Sequence, residues 1–340
     1  MNVKHIVVSF GCLLLGAGLI QGCKKGNLMI ERPKVTYPVG RFLIDLPEES
    51  EIGWGRQCYN YSGPFIKTFR APTPELVKEV LEADAKEFRV PHEEGGTQLV
   101  KIVEGNRGNS WFMFYWRSNL IRDIGNTVRM KGYFWKPTQG FIFTDSAKLD
   151  PPGLEEAVTF LEGEFQKVCM RSPLEIPTGP GFCIENAYFQ GEPNQDPIEH
   201  IAMHINLPSH PDVFVRFSTD TTNYVNPMPL LDRMLKLNSF EELISGIRRI
   251  RTRERWVGPY RGQELVERIR EKNRTVGYSF MWEFNGEAKS GTTPNMLLEM
   301  MTGQGNPPVN SSLSRKEALA LWDSMLDSIR FRNPHPPPVP

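Results

Sequence analysis

"RSPLEIPTGPG" (171–181) breaks an otherwise regular alternation of strand-like and helix-like stretches. Its three prolines remove backbone donors and its two glycines favour turns, so neither helix nor strand can run through it. It therefore reads as a boundary between two domains. "GFCIE" (181–185), at its end, resembles in kind and position the "GRFLID" (40–45) near the start of the chain. Each opens a half in which strands and helices follow in similar order, an arrangement that fits an ancient duplication. The expected fold is α+β: two similar domains, each a mostly antiparallel sheet packed with helices. The expected limits are 39–172 for the first domain and 173–332 for the second.

Within the first half, Phe42 and Ile44 alternate with Leu43 and Asp45, the period of a strand. "PTPELVKEVLEADAKEF" (72–88) is predicted to be a helix. Thr73 can cap it, Pro74 fits its first turn, and Val77, Val80, Leu81, Ala85 and Phe88 form its apolar stripe. "WFMFYW" (111–116) is apolar on both faces and should be an interior strand. "KPTQG" (136–140) is a turn leading into "FIFT". Leu154, Val158, Leu161, Phe165 and Val168 step along a second helix.

The second half continues with strands "EHIAMHINLP", "VFVRFST", "RTRERWVG", "LVERIR", "TVGYSFMWEFNG" and "NMLLEMMTG". Helices are marked by the capping-box spacings Ser239 to Glu242 and Ser314 to Glu317. The last helix carries Ala318, Leu321, Trp322, Met325 and Ile329 on one stripe. The Pro-rich tail 333–340 cannot extend it. Trp54, Trp135, Trp256 and Trp282 each read as core residues.

The chain has 340 residues, with 40 basic and 40 acidic side chains. A neutral balance gives no reason to expect nucleic acid as a partner. With 24% charged residues and abundant apolar ones, the chain is globular.

Residues 1–22 read as a lipoprotein signal peptide. Lys4 and His5 precede an uncharged apolar run from Ile6 to Ile20. That run is shorter than the ~20 residues of a membrane-spanning helix. It ends in Ile20-Gln21-Gly22-Cys23, which resembles a bacterial lipobox: aliphatic at −3, small at −1, then Cys. The resemblance implies cleavage before Cys23 and lipidation of its thiol. Several acyl chains hold a protein firmly to a membrane, whereas one is marginal. Lys24 follows where an Asp would imply retention at the inner membrane, so the anchor implies the outer membrane and the periplasm. Residues 23–38 read as a tether. Three cysteines remain beyond the anchor: Cys58, Cys169 and Cys183. The periplasm is oxidising, and Cys169 with Cys183, nearest in sequence, are the expected pair.

Motifs for chemistry are missing. No Gly-x-Ser-x-Gly elbow occurs, and Ser110 and Ser290 read as turn serines. His200, His204 and His210 in "EHIAMHINLPSH" could evoke zinc. However, Ile201, Met203, Ile205 and Leu207 alternate with the polar residues, so the histidines belong to the polar face of a strand. "GNRGNS" (105–110) lacks the lysine of a phosphate loop. No catalytic residue, metal or cofactor is therefore expected. The basic run "RRIRTRERW" (248–256) places Arg249, Arg251, Arg253 and Arg255 on one face at period two. They are the candidate partner-binding residues, because such a row could meet an acidic partner or lipid phosphates. Glu254, Glu264 and Glu267 could instead balance them as a solvated strand.

"VGRFLIDLPEES", "EIPTGPGFCIE", "YSFMWEFNGEA", "MLLEMMTG" and "LSRKEALALWDSMLDSIRFRN" together, in this order, resemble the immunity proteins of type VI secretion lipase effectors. The resemblance covers nearly all of the chain beyond the anchor. It implies a periplasmic, lipidated inhibitor with paired N- and C-terminal immunity domains that grip a secreted phospholipase and keep it from lipid. It also implies protection against self and sister cells. A different reading is a lipid-anchored envelope scaffold or assembly factor without a toxin partner. An enzyme with unrecognised residues finds no motif to support it.

Overall fold

The computed structural model describes residues 34–59, 65–89, 97–117, 125–195, 197–238 and 246–332. The expected signal peptide 1–22, Cys23, the Ser239–Glu242 capping box and the tail 333–340 lie outside them. Regular structure starts earlier than the alternation in "GRFLID" marks: the end of the expected tether is already a strand, β1 (Lys34–Val39). It is followed by β2 (Phe42–Pro47), β3 (Glu51–Tyr59), β4 (Ile66–Arg70) and helix α1 (Pro74–Arg89). Then come β5 (Gln98–Glu104), β6 (Ser110–Trp116), β7 (Thr127–Lys136), β8 (Gln139–Lys148) and helix α2 (Pro151–Gln166). Short strands β9 (Val168–Met170), β10 (Gly181–Ile184) and β11 (Ala187–Gln190) flank the proline-rich stretch. Next are β12 (Glu199–Asn206), β13 (Phe214–Asp220), helix α3 (Leu230–Asn238), β14 (Ile247–Val257) and β15 (Tyr260–Arg270). The last elements are β16 (Val276–Phe284), β17 (Asn295–Met301), helix α4 (Arg315–Leu326) and β18 (Arg330–Phe331). The fold is α+β with antiparallel sheets, as expected, and among the described residues no helix is long and apolar enough to cross a membrane.

β5 to β8 form a meander, with β4 added beside β8, in a sheet of order β4-β8-β7-β6-β5. β6 is buried along its whole length because both faces are covered. On one face Val77, Leu81 and Ala85 of α1 meet Trp111, Met113, Tyr133 and Ile142. On the other, α2 brings Phe165 against Phe134, their rings stacked 4.5 Å apart. Asp150 caps α2 by accepting from the Gly153 N–H at 2.7 Å, and Pro151 fits the donor-free first turn. α2 stops at the cap residue Lys167, so Val168, placed by its spacing on the helix, starts a strand instead.

The second large sheet has the order β14-β15-β16-β17-β13-β12-β3. Its last strand comes from the far end of the chain: β3 pairs with β12, from Glu51 opposite Asn206 to Tyr59 opposite Glu199. β2 pairs with β18, Phe42 opposite Phe331. The sheets therefore do not divide at 172/173 as the domain limits 39–172 and 173–332 would have it, since the leading strands join C-terminal elements. An alternating strand needs an edge to satisfy its backbone donors, and its own pattern does not say whose edge that is.

The boundary stretch is not a loose linker. The Arg171 guanidinium donates to the carbonyls of Ala187, Ile184 and Pro173 at 3.2, 2.8 and 2.8 Å. Arg332, from the chain end, donates to the carbonyls of Pro177, Gly179 and Gly181. Two guanidinium forks thus supply the partners that a proline-rich backbone cannot find in a ladder. The same region carries the core across the two halves: Tyr59 stacks on Phe189 at 4.2 Å, and Phe189 lies 6.0 Å from Phe143.

Candidate partner-binding surfaces

The arginine row is an internal ion network. Glu264 on β15 is fully buried and accepts from Arg253 Nε at 2.5 Å, Arg255 Nη1 at 2.7 Å and the Trp322 indole N–H at 2.7 Å. Arg251 forks onto both oxygens of Asp323 on α4 at 2.6 and 2.9 Å. Arg255 adds Asp323 at 2.6 Å and Asp327 at 2.7 Å. Three guanidinium groups thus meet three carboxylates and tie α4 to the edge of the sheet. Arg249 is not in this set. A bulge between Arg249 and Arg251 puts Arg249 opposite Glu267 and Arg251 opposite its neighbour Val266, so the two arginines face opposite sides. The strict period-two row expected from sequence is broken there. Burial pushes the carboxyls of Glu264 and Asp323 up, but the guanidinium and indole donors outweigh it and hold both below the usual range.

Trp282 supports the network from β16. Its indole N–H donates to the Arg255 carbonyl at 3.1 Å. The ring lies over Gly262, where a Cβ would come within 2.4 Å of it, so only glycine fits. Trp256, expected in the core with Trp282, is 61% exposed, because it ends an edge strand and faces away from α4.

The histidines stand on strand β12 and the turn after it, as their alternation implied. His200 Nδ1 is 3.3 Å from Asp220, His204 packs on the Phe214 ring, and His210 Nδ1 meets the Ser312 hydroxyl at 2.9 Å. No group of His, Cys, Asp or Glu among the described residues could hold a metal ion. Burial and the nearby Arg216 push the His204 imidazole pKa down. Ser110 is buried and donates to Glu162 at 2.7 Å, a contact that fixes the start of β6 to α2.

Cys169 and Cys183 do not form the expected bridge; both are thiols. They sit on β9 and β10, on opposite sides of β11, and both are register partners of Tyr188. Two strand spacings of about 4.8 Å exceed the span a disulfide tolerates. Cys58 is buried on β3 opposite His200 and is likewise not in a disulfide.

Two surfaces that the sequence did not single out carry exposed apolar groups. The loop before α3 displays Tyr224, 76% exposed, with Val225 and Met228. It is held by the Lys289 N–H to the Thr222 carbonyl at 2.7 Å and by Asn285 to the Asn226 carbonyl. The second is a groove of about 770 Å³ between α1 and the uncovered end of the five-stranded sheet. Its strands mix aromatic and basic residues at period two, as in Lys67/Phe69, Tyr115/Arg117 and Arg129/Lys131/Tyr133. That alternation was the available signal.

The fold is similar to that of immunity proteins of type VI secretion. The apo structure of the T6SS immunity protein TplEi from Pseudomonas aeruginosa is 27% identical, with a TM-score of 0.70 over 88% of this chain and 97% of that one. TplEi complexed with "L" peptide is 27% identical, with a TM-score of 0.68 over 88% and 98%. A chain of the Tle4–Tli4 complex is 28% identical, with a TM-score of 0.72 over 88% and 97%. More particularly, residues 175–334 match the family described as Tle cognate immunity protein 4 C-terminal domain. No curated protein matches the chain.

Proposed function

We propose that this protein binds and inhibits a phospholipase effector of type VI secretion, protecting the cell that makes it from its own and its sister cells' toxin. The observation that carries this is the likeness to a chain of the Tle4–Tli4 complex across 88% of this chain, together with the immunity-domain match over 175–334. An inhibitor needs surface rather than a catalytic constellation. The two large sheets, joined by one core, offer several separate faces. Tight complexes of this kind bury on the order of 1,600 Å². The protein works without turning over a substrate. It acts in the periplasm, held to the outer membrane through lipid on Cys23.

The test is direct. Purified protein should show no hydrolase activity and should abolish that of the lipase encoded beside it at equimolar ratio. Deleting the gene should make cells sensitive to sister cells. Failure to bind that lipase overturns the proposal. Cys23→Ala should release the protein from membranes; continued membrane association would remove the anchor and leave the inhibitor reading in place.

A further inference from the structure

We propose that the groove between α1 and the five-stranded sheet receives a segment of the effector in which aromatic or aliphatic side chains are flanked by carboxylates. This rests on the immunity reading and adds the chemistry of one contact.

The groove exists because α1 covers only part of its face of the sheet. Val77, Leu81 and Ala85 seal Trp111, Met113 and Tyr133, but α1 does not reach the end of that face near β4 and β8. Its floor is apolar: Ile142 and Tyr115 lie there, each 8% exposed. Phe88 of α1 stacks on Tyr115 at 4.7 Å and forms one wall. Phe65, 43% exposed, forms the other, with Arg56 5.6 Å above its ring. A trough of this size that joins an apolar floor to polar and charged walls is the kind of surface that marks an interaction site.

The rim selects the occupant by charge. Asp84 on α1 is already satisfied: it accepts from Lys131 at 2.7 Å and from the Tyr133 hydroxyl at 2.6 Å. Lys67, Arg117 and Arg129 also line the groove. No carboxylate among the described residues stands in ion-pair range of these three, and Arg129 spends one N–H on the Ser146 hydroxyl at 2.9 Å. Among the described residues, Glu87 is the one other acid on the lining. Among the described residues, three cations without an ion-pair partner against one acid give the rim a positive balance. The arginine row on β14 has the opposite character, since its charges are matched from within. A segment with apolar side chains to fill the trough and carboxylates to meet the rim is complementary on both counts. Arg117 and Arg129 can each fork onto a carboxylate.

The test uses the full protein, the lipase encoded beside it as probe, and the charge-reversed variants Lys67→Glu/Arg129→Glu and Arg117→Glu. All three positions are at least partly exposed, so unfolding midpoints should stay near wild type. Affinity should fall about tenfold or more in each variant, chiefly through slower association, and the salt dependence of binding should flatten. Unchanged affinity in both variants, with tight binding by wild type, overturns the groove assignment and leaves the immunity reading standing. No binding by wild type overturns both. Vesicles with anionic lipid provide the control. If they bind wild type and not the variants, while lipase affinity is unchanged, the groove takes lipid headgroups and the proposal fails.

Discussion

Arg41 and Glu199 face one another in the core, with Nε and Nη2 of the guanidinium 2.8 and 2.6 Å from the two carboxylate oxygens. Both side chains are 3% exposed, and 158 residues separate them. The fork joins the turn after β1 to the first residue of β12, so it fastens the N-terminal hairpin to the seven-stranded sheet. Burial pushes the Glu199 carboxyl up, and Arg41 opposes that. Removing the guanidinium would strand a buried acid. Arg41→Met should therefore cost about 3–5 kcal/mol. Urea unfolding of the variant should show it, and a midpoint equal to wild type would contradict the buried pairing.

Glu264 is the hub on which Arg253, Arg255 and Trp322 converge. Glu264→Ala would leave two guanidinium groups and an indole N–H without their shared acceptor. The expected loss is about 3–5 kcal/mol, with α4 the first element to lose hydrogen-exchange protection. Protection in α4 that survives unchanged would mean that its apolar stripe alone holds it.

The same carboxylates set the acid limit. The folded-state pKa values of Glu264 and Asp323 lie below those of the unfolded chain. Their contribution is complete above the ordinary carboxylate range of about 3.9–4.3 and is lost as pH falls through the lower folded values. Stability should hold from neutral pH to about 5 and decline steeply below about 4. Glu264→Gln should flatten that decline. An equally steep acid limb in the variant would place the titrating groups elsewhere.

Two tryptophans should respond oppositely. Trp282 is fully buried over Gly262, and Trp282→Ala should cost about 3–5 kcal/mol. Trp256 is 61% exposed, and Trp256→Ala should stay within about 0.5 kcal/mol of wild type. Thermal unfolding of the pair measures both.

The thiols offer a further check. Cys58 and Cys183 are buried and Cys169 is partly exposed. Maleimide labelling of the native protein followed by peptide mapping should modify Cys169 first. A Cys169–Cys183 cross-link in the oxidised protein would contradict their placement on either side of β11.

Much of the local structure follows from the linear pattern. Ser314 and Glu317 cap each other at the start of α4 as their spacing requires, and Ala318, Leu321, Trp322 and Met325 form its buried stripe. The alternation around His200 and His204 separates a strand from a zinc-binding helix face, and β12 is that strand. These cases are decided by neighbours within a turn or two. The arginine row shows the limit: period two predicts a common face, and one bulge at Ile250 divides it.

By itself, the sequence determined several of the elements, among them α1, β6, β12 and the capped start of α4. It also determined that neither a hydrolase elbow nor a phosphate loop is present, because those depend on side-chain period, capping chemistry and local spacing. Tertiary structure alone decided that β3 joins a C-terminal sheet, that Arg41 meets Glu199, that the arginines of β14 are matched by α4, and that Lys67, Arg117 and Arg129 line one groove beside α1. These are pairings across long loops. Backbone donors and unpaired charges specify only that a partner is needed, and packing chooses which one.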